Sequence, residues 1–183
     1  MPVAKPCRRL ASPGPAVGTG RGRGFTLIEL MTTLSVLAVS LALAAPALSS
    51  LVSGNRVRAA QGELVSSLML ARSEAARRGV AFGVVAAADA NGGGFARGWT
   101  VWIDANANGT LDTGEATLRR VPAFGTSITM TETHSLRDVV YSSRGFLAGG
   151  TAVSVAVCGP SNGYRVRVEP VGLADTSEIS PCP

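Results

Sequence analysis

The residues with the clearest spacing for chemistry lie between positions 104 and 115. They match the calcium-loop pattern D-x-[DN]-x-[DN]-G-x₅-E in every position, and the oxygen-bearing side chains belong to Asp104, Asn106, Asn108, Asp112 and Glu115. Strand-like runs flank the loop, so it is predicted to be a hairpin tip and not an EF-hand. Two interpretations stay open. Either the loop binds Ca²⁺, or its Asx side chains support turns by bonding to their own backbone. Ca²⁺ is the only cofactor that the sequence suggests, and none is required.

Two arginines near the C-terminus form a second candidate site. Period two places Arg165 and Arg167 on one face of a predicted strand, with apolar residues on the other. Adjacent guanidinium groups bind phosphates along a DNA backbone without reading base sequence, and Arg144 is a third candidate for this patch. The alternative is a solvated arginine face on an edge strand, which discourages pairing with other strands.

An enzyme is not predicted. The only histidine, His134, lies in the polar run 131–135, where no motif supplies a nucleophile. Asp89, Asp138 and Asp175 lack the spacing of a paired acid and base. The run Asn-Gly-Gly-Gly at residues 91–94 is interpreted as a flexible loop and not a phosphate site, since no helix follows it.

Glu29 is the only charged residue between positions 25 and 54, a stretch of about 30 residues. An apolar run of that length forms a helix that can cross a hydrocarbon layer of about 30 Å. A carboxylate within it costs about 2.5–3.5 kcal/mol on insertion scales. Glu29 is therefore predicted to have a partner or a function.

The run GFTLIEL (residues 24–30), which follows a basic leader, resembles the processing site of class III signal peptides. Type IV pilins and type II secretion pseudopilins carry this signal. The resemblance implies that a prepilin peptidase cuts between Gly24 and Phe25 and methylates the new amine. It also implies that Glu29 neutralises the Phe25 amine of an adjacent subunit in a filament. An ordinary secretory signal cut near residues 45–47 is the alternative, but the apolar run is long for such a signal and contains Glu29.

The net charge of +5 comes from this leader. Removing its five basic residues from the 17 of the chain leaves 12 basic against 12 acidic residues, so the high pI gives no general argument for a nucleic-acid partner. By the positive-inside rule, Arg21 and Arg23 keep the leader in the cytoplasm. The predicted location is the inner membrane, with a single span and a periplasmic head, and then a pilus or pseudopilus.

Cys158 and Cys182 lie in the part predicted to be exported, whereas Cys7 lies in the leader. An even pair outside the cytoplasm predicts a disulfide. Closing a loop of about 25 residues stabilises a domain by about 3 kcal/mol in the chain-entropy model. It would pin the tail, residues 170–183, which has no strong periodic pattern. Two unpaired thiols are the alternative, and zinc is disfavoured because no further ligands have suitable spacing.

The elements that position these residues begin with a long helix. Beyond position 46 an amphipathic pattern continues to Gly79, a helix stop; its apolar positions are Val57, Leu64, Leu68, Ala71 and Ala75. The helix is predicted to be kinked or loosened at Pro46. The run ARSEAARRG (residues 71–79) is similar to the end of the first helix in the GspH/FimT family of minor pilins.

Short strand-like runs then follow without intervening helices, which indicates an antiparallel sheet. They span residues 80–88, 99–103, 116–121, 127–131, 139–141, 152–158 and 164–168. The predicted fold class is α+β, a type IV pilin-like fold whose long N-terminal helix packs on an antiparallel β domain. The predicted divisions are a leader (1–24), a transmembrane and filament-core helix (25–54), an amphipathic helix (55–79) and a globular β domain (80–183).

The resemblance implies two alternative functions. The first is a minor pilin or pseudopilin that helps to initiate a filament or to form its tip. Its partners would be prepilin peptidase, other pilins or pseudopilins and the inner-membrane assembly platform. The cysteine pair and the arginine-bearing tail favour a pilus over type II secretion. The second is a FimT-like DNA receptor in natural transformation. Residues 163–167 resemble its C-terminal Gly-Arg-x-Arg motif, with Tyr164 intervening.

Overall fold

The computed structural model describes residues 24–88, 94–132, 137–160 and 162–182, without the side chain of residue 46. The leader before Gly24, the Asp89 region and His134 lie outside the described residues. The elements in chain order are α1 (Leu27–Arg78), β1 (Ala81–Ala86), a 3₁₀ turn (Phe95–Arg97), β2 (Trp99–Asp104), β3 (Thr117–Val121), β4 (Thr129–Glu132), β5 (Asp138–Tyr141), β6 (Val153–Cys158), β7 (Gly163–Val168) and β8 (Ala174–Ile179). The chain divides after Ala42 into two compact units.

The first unit contains the start of α1. Its large apolar side chains are exposed, and α1 is the one helix among the described residues that is long and apolar enough to span a membrane. Its hydroxyl groups donate to backbone carbonyls of the preceding turn, as Thr32 does to Glu29 and Ser35 does to Met31. These polar groups are therefore satisfied within the helix, which apolar surroundings require.

The second unit packs α1 from Val57 onward against the strands. The five apolar positions predicted from the helical pattern are all buried, which confirms the amphipathic face. Gly79 ends the helix in the left-handed conformation with φ of 69°, and its amide donates to Ala75 O at 2.9 Å. The helix is continuous through position 46, so the loosening predicted there does not divide it.

Two four-stranded antiparallel sheets complete this unit, with strand orders β3-β2-β1-β5 and β4-β6-β7-β8. We name them sheet A and sheet B. The side chains that face α1 include Phe82, Val84, Trp99, Val101 and Val166, all buried. The predicted α+β class and all seven predicted strands are confirmed.

The eighth strand lies in the tail, residues 170–183, where the sequence has no strong periodic pattern. β8 pairs with β7 in register from Ala174 opposite Val168 to Ile179 opposite Gly163. Residues 175–178 of β8 are all exposed, so the strand has no apolar alternation to reveal it. Its backbone bonds to β7 fix its position.

Candidate functional site

The predicted processing residues lie at the start of α1. Gly24 and Phe25 precede the helix and are exposed. The hydroxyl of Thr26 accepts a hydrogen bond from Glu29 N at 3.2 Å, so Thr26 caps the helix. Glu29 lies in the first turn, where a carboxylate interacts favourably with the helix dipole. The scissile position is thus outside regular structure and Glu29 is inside it. The processing and assembly roles of these residues remain predictions.

The loop from Asp104 to Glu115 joins β2 and β3, which confirms the hairpin. Asp104 is 2% exposed, and its two carboxylate oxygens accept from Asn108 N at 3.1 Å and Gly109 N at 2.9 Å. Glu115 closes the loop by accepting from Ala105 N and Asp112 N, both at 3.0 Å. The carboxylates at both ends of the pattern therefore bind backbone amides.

The centre of the loop is closed in the same way. The side-chain amides of Asn106 and Asn108 both donate to Asp112 Oδ2, at 2.9 and 2.7 Å. These donors hold the pKa of Asp112 below its ordinary value. Among the described residues, no group of three or more His, Cys, Asp or Glu side chains is arranged to hold a metal. Turn support by Asx side chains accounts for the contacts seen, and Ca²⁺ binding remains a hypothesis.

This loop also borders the outer face of sheet A, the face turned away from α1. Trp102 lies on that face and is fully buried, and a Cβ on Gly83 of the adjacent strand would overlap its indole ring. Thr110 and Leu111 of the loop line a cleft together with Val85 of β1. The loop therefore does more than reverse the chain, because it forms one wall of a surface feature that the sequence did not predict.

The predicted arginine face is present on β7. Val166 and Val168 are buried, whereas Arg165 and Arg167 are exposed on the outer face of sheet B. Arg167 forms an ion pair with Glu169 at 2.7 Å and lies opposite Asp175 of β8. Arg165 has no ion pair or hydrogen bond from its side chain among the described residues.

Two details of the arginine hypothesis change. β7 lies between β6 and β8, so the alternative of an edge strand is wrong for it. Arg144 lies in the turn after β5, beside Gly145 and the α1 residue Arg72, and not on the strand that carries the other two arginines. The pair on β7 is therefore the part of the candidate patch that the strand geometry brings together.

The cysteine pair predicted from the sequence forms a disulfide. The Cα atoms of Cys158 and Cys182 are 6.0 Å apart, and the bond joins the end of β6 to the residues after β8. A Cβ on Gly163, which lies opposite Cys158 in the sheet, would overlap Cys182 Sγ. Glycine at position 163 therefore makes room for the disulfide.

Side chains of α1 also hold the strands through contacts that no pattern in the sequence predicts. Arg72 Nε donates to Gly145 O at 3.1 Å, and its Nη2 donates to Val171 O at 3.3 Å. Arg58 Nε donates to the hydroxyl of Tyr164 at 2.9 Å. These partners are 73 to 106 residues apart in the chain, so no local spacing could have revealed them.

The apolar helix with a capped start and the two-sheet head define a pilin-like protein. The family description "Type II transport protein GspH" matches residues 60–172, and "Prokaryotic N-terminal methylation motif" matches residues 20–45. The chain therefore belongs to the GspH family of pilins and pseudopilins.

Individual proteins are similar to parts of this chain. The chain is 37% identical over 95 residues to "Pilin-like protein PilA1" of Thermus thermophilus. The matched region covers 51% of this chain and about half, 55%, of that relative. Its fold is similar to the crystal structure of the type IV minor pilin FimU of Pseudomonas aeruginosa, with a TM-score of 0.57, 24% identity, and coverage of 70% of this chain and 93% of that one. The minor pseudopilin EpsH of Vibrio cholerae aligns with a TM-score of 0.45, 17% identity and coverage of 67% and 94%.

Proposed function

We propose that this protein is a minor pilin, a structural subunit that helps to initiate a type IV pilus or to form its tip. The observation that carries the proposal is the exposed apolar start of α1, where Glu29 is the only charge in about 30 residues and the head follows on the same chain. A helix of this kind gains free energy by packing with other apolar helices, in a membrane or in a filament. The pilin-like relative at 37% identity favours a pilus over type II secretion.

The proposed life cycle places Gly24 and Glu29 at separate steps. Prepilin peptidase would cut after Gly24, and the chain would wait in the inner membrane with its head in the periplasm. Glu29 would then neutralise the Phe25 amine of a neighbouring subunit when helices meet. A charge in apolar surroundings costs several kcal/mol unless it is paired, which gives this contact its value.

The test is a comparison of two variants in the native strain. Gly24→Val should leave uncut precursor in the inner membrane, because the larger side chain occupies the scissile position. Glu29→Val should be cut normally but fail to enter sheared pilus fractions. Immunoblots for size and for incorporation measure both. A fully processed Gly24→Val protein would refute the site assignment, and normal incorporation of Glu29→Val would refute the assembly role.

DNA binding is a second candidate function, favoured by the exposed and unpaired Arg165. The neighbouring Arg167 is already paired with Glu169, so few phosphate contacts are available. Binding would therefore be weak, with a salt slope near −0.9 per phosphate engaged on duplex DNA. Replacing both arginines by Gln should lower the affinity for DNA of unrelated sequences, and it should also lower the frequency of transformation. Unchanged binding by the double variant would remove these arginines from the hypothesis.

A further inference from the structure

A cleft of about 710 Å³ crosses the outer face of sheet A. This volume lies within the range of about 300–1,000 Å³ that is usual for binding sites in proteins. The cleft is lined by residues of β1 and β2, by Thr110 and Leu111 of the loop between β2 and β3, and by Pro122 after β3. Leu111 is exposed at this rim. The cleft is separate from the start of α1 and from the arginines of β7.

The register of sheet A places four side chains of this cleft in one row. Arg120 on β3 is opposite Thr100 on β2, Thr100 is opposite Val85 on β1, and Val85 is opposite Asp138 on β5. Their sequence neighbours Val84, Trp99, Val121 and Val139 belong to the buried core, so the row faces outward. Three strand spacings separate the ends of the row, a distance of about 14 Å between Cα atoms.

The two ends carry opposite charges, and one oxygen of the acid and the guanidinium of the base have no hydrogen-bond partner among the described residues. Oδ1 of Asp138 is buried and has no hydrogen-bond partner among the described residues. Arg120 is exposed, and its side chain has neither an ion pair nor a hydrogen bond in the described part of the chain. Arg97 also lines the cleft, but it already has a partner. Between the ends, Thr100 and Val85 form a floor that is mostly apolar.

A carboxylate oxygen that is buried without a donor carries a desolvation cost, and Oδ1 of the half-buried Asp138 is such an oxygen. Burial accordingly raises the pKa of Asp138, although the charge of Arg137 opposes this. A bound donor at this position would recover the cost, and a carboxylate at the other end would pair with Arg120. The cleft is thus complementary to an elongated ligand with an acid at one end and a base at the other.

We propose that this cleft binds an extended segment of another pilin subunit, with an acidic side chain at Arg120 and a basic side chain at Asp138. An extended chain advances about 3.3 Å per residue, so four residues span about 13 Å, and side chains at i and i+4 point to the same face. The required pattern is therefore an acid and a base four residues apart. The proposal rests on the proposed function, since it supplies a contact by which a minor pilin selects its neighbour.

The test uses the full chain in detergent micelles and two fluorescein-labelled peptides of equal composition. Thr-Glu-Val-Thr-Val-Arg-Thr has its acid and base four residues apart, and Thr-Glu-Val-Val-Arg-Thr-Thr has them three apart, on opposite faces. Fluorescence anisotropy should show that the first binds at least about fivefold more tightly. Arg120→Gln and Asp138→Asn should each weaken it about five- to tenfold, a loss of about 1–1.4 kcal/mol. Arg77→Gln is the matched control, because Arg77 is exposed on α1 outside the cleft, and it should bind as the parent does.

Misfolding does not account for the expected loss, because Asp138→Asn removes a half-buried charge and should leave the thermal midpoint equal or higher. Equal affinity for the two peptides, or binding unaffected by both cleft variants, would overturn the proposal. Self-association of the chain that Asp138→Asn abolishes would also overturn it, since the occupant would then be a second copy.

Glu29→Val separates this proposal from the proposed function, because residue 29 lies outside the cleft. If Glu29→Val is not incorporated into pili and Asp138→Asn binds the peptide as the parent does, the cleft proposal alone is refuted. Normal incorporation of Glu29→Val, with peptide binding that depends on Asp138, would refute the proposed function alone.

Discussion

Arg72 is predicted to stabilise the head through two backbone carbonyls that lie far apart in the chain. Gly145 O belongs to the connection between β5 and β6, and Val171 O belongs to the turn between β7 and β8. One side chain of α1 thereby joins segments from sheet A and sheet B. We expect Arg72→Met to destabilise the head, because methionine retains much of the aliphatic stem but loses both hydrogen bonds.

The magnitude follows from the exposure of the two bonds. The Arg72 Nε bond is partly buried and should contribute about 1 kcal/mol, a discount from the 1.5–3 kcal/mol of a well-buried charged hydrogen bond. The exposed Nη2 bond should contribute about 0.5 kcal/mol. For a unit of about 140 residues, roughly 4 °C of midpoint shift per kcal/mol gives a fall of about 6 °C.

Tryptophan fluorescence during heating measures this shift. The chain has two tryptophans, Trp99 and Trp102, and both are buried among the strands, so the signal reports the head even when the full chain is held in detergent. Arg77→Met is the matched control on the same helix. Arg77 is 65% exposed and pairs with Glu74, which also binds Arg78, so its loss should leave the midpoint close to that of the parent.

The comparison of the two variants decides the outcome. A midpoint for Arg72→Met within about 2 °C of the parent, or equal to that of Arg77→Met, would show that the two carbonyl contacts do not stabilise the head. The reasoning about Arg72 would then be wrong.

Three further predictions concern the disulfide, the Asx loop and the cleft. Gly163→Ala should lower the disulfide-bonded fraction measured by thiol labelling, because its Cβ would overlap Cys182 Sγ, whereas Gly62→Ala, with open space, should not. Exchanging Ca²⁺ for a chelator should leave the thermal midpoint unchanged if the loop 104–115 is closed by its own side chains; a clear rise with Ca²⁺ would support the metal. Burial raises the pKa of Asp138 in the folded state, so protonation of this residue stabilises the fold. This stabilisation is fully present below the unfolded pKa of about 3.9 and is lost as pH rises through the folded pKa. Asp138→Asn should therefore raise the midpoint at pH 7 but give little gain near pH 3.5, and equal gains at both pH values would contradict this account.

Local patterns predicted most of the fold. The helical spacing of Leu64 and Leu68 identified the face of α1 that is buried, and Gly79 identified its end because a left-handed residue terminates a helix. Strand alternation predicted the burial of Val166 and the exposure of Arg165. β8 was not predicted, because an edge strand exposed along residues 175–178 gains its order from pairing with β7 and not from a buried face.

The sites required information that local spacing does not contain. The oxygen spacing from Asp104 to Glu115 matches a calcium loop, yet the structure uses these oxygens to accept from backbone and side-chain amides. The contacts of Arg72 and the row from Arg120 to Asp138 depend on which strands become neighbours and in which register. A pattern search of the sequence cannot rank these residues above other arginines and aspartates.

The chemistry of the two units suggests how assembly and partner choice are divided. Burial of the apolar start of α1 is non-directional, so it favours association with any sufficiently apolar helix, and Glu29 adds one requirement for a nearby positive charge. Selection among subunits needs directional groups whose mismatch is costly. The cleft of sheet A has such groups, because a partner without a donor would leave the buried Oδ1 of Asp138 without a hydrogen bond. The proposed division is therefore that α1 drives association and the head selects the neighbour. It predicts that cleft variants alter which subunits lie next to this protein, while Glu29 variants alter whether it assembles.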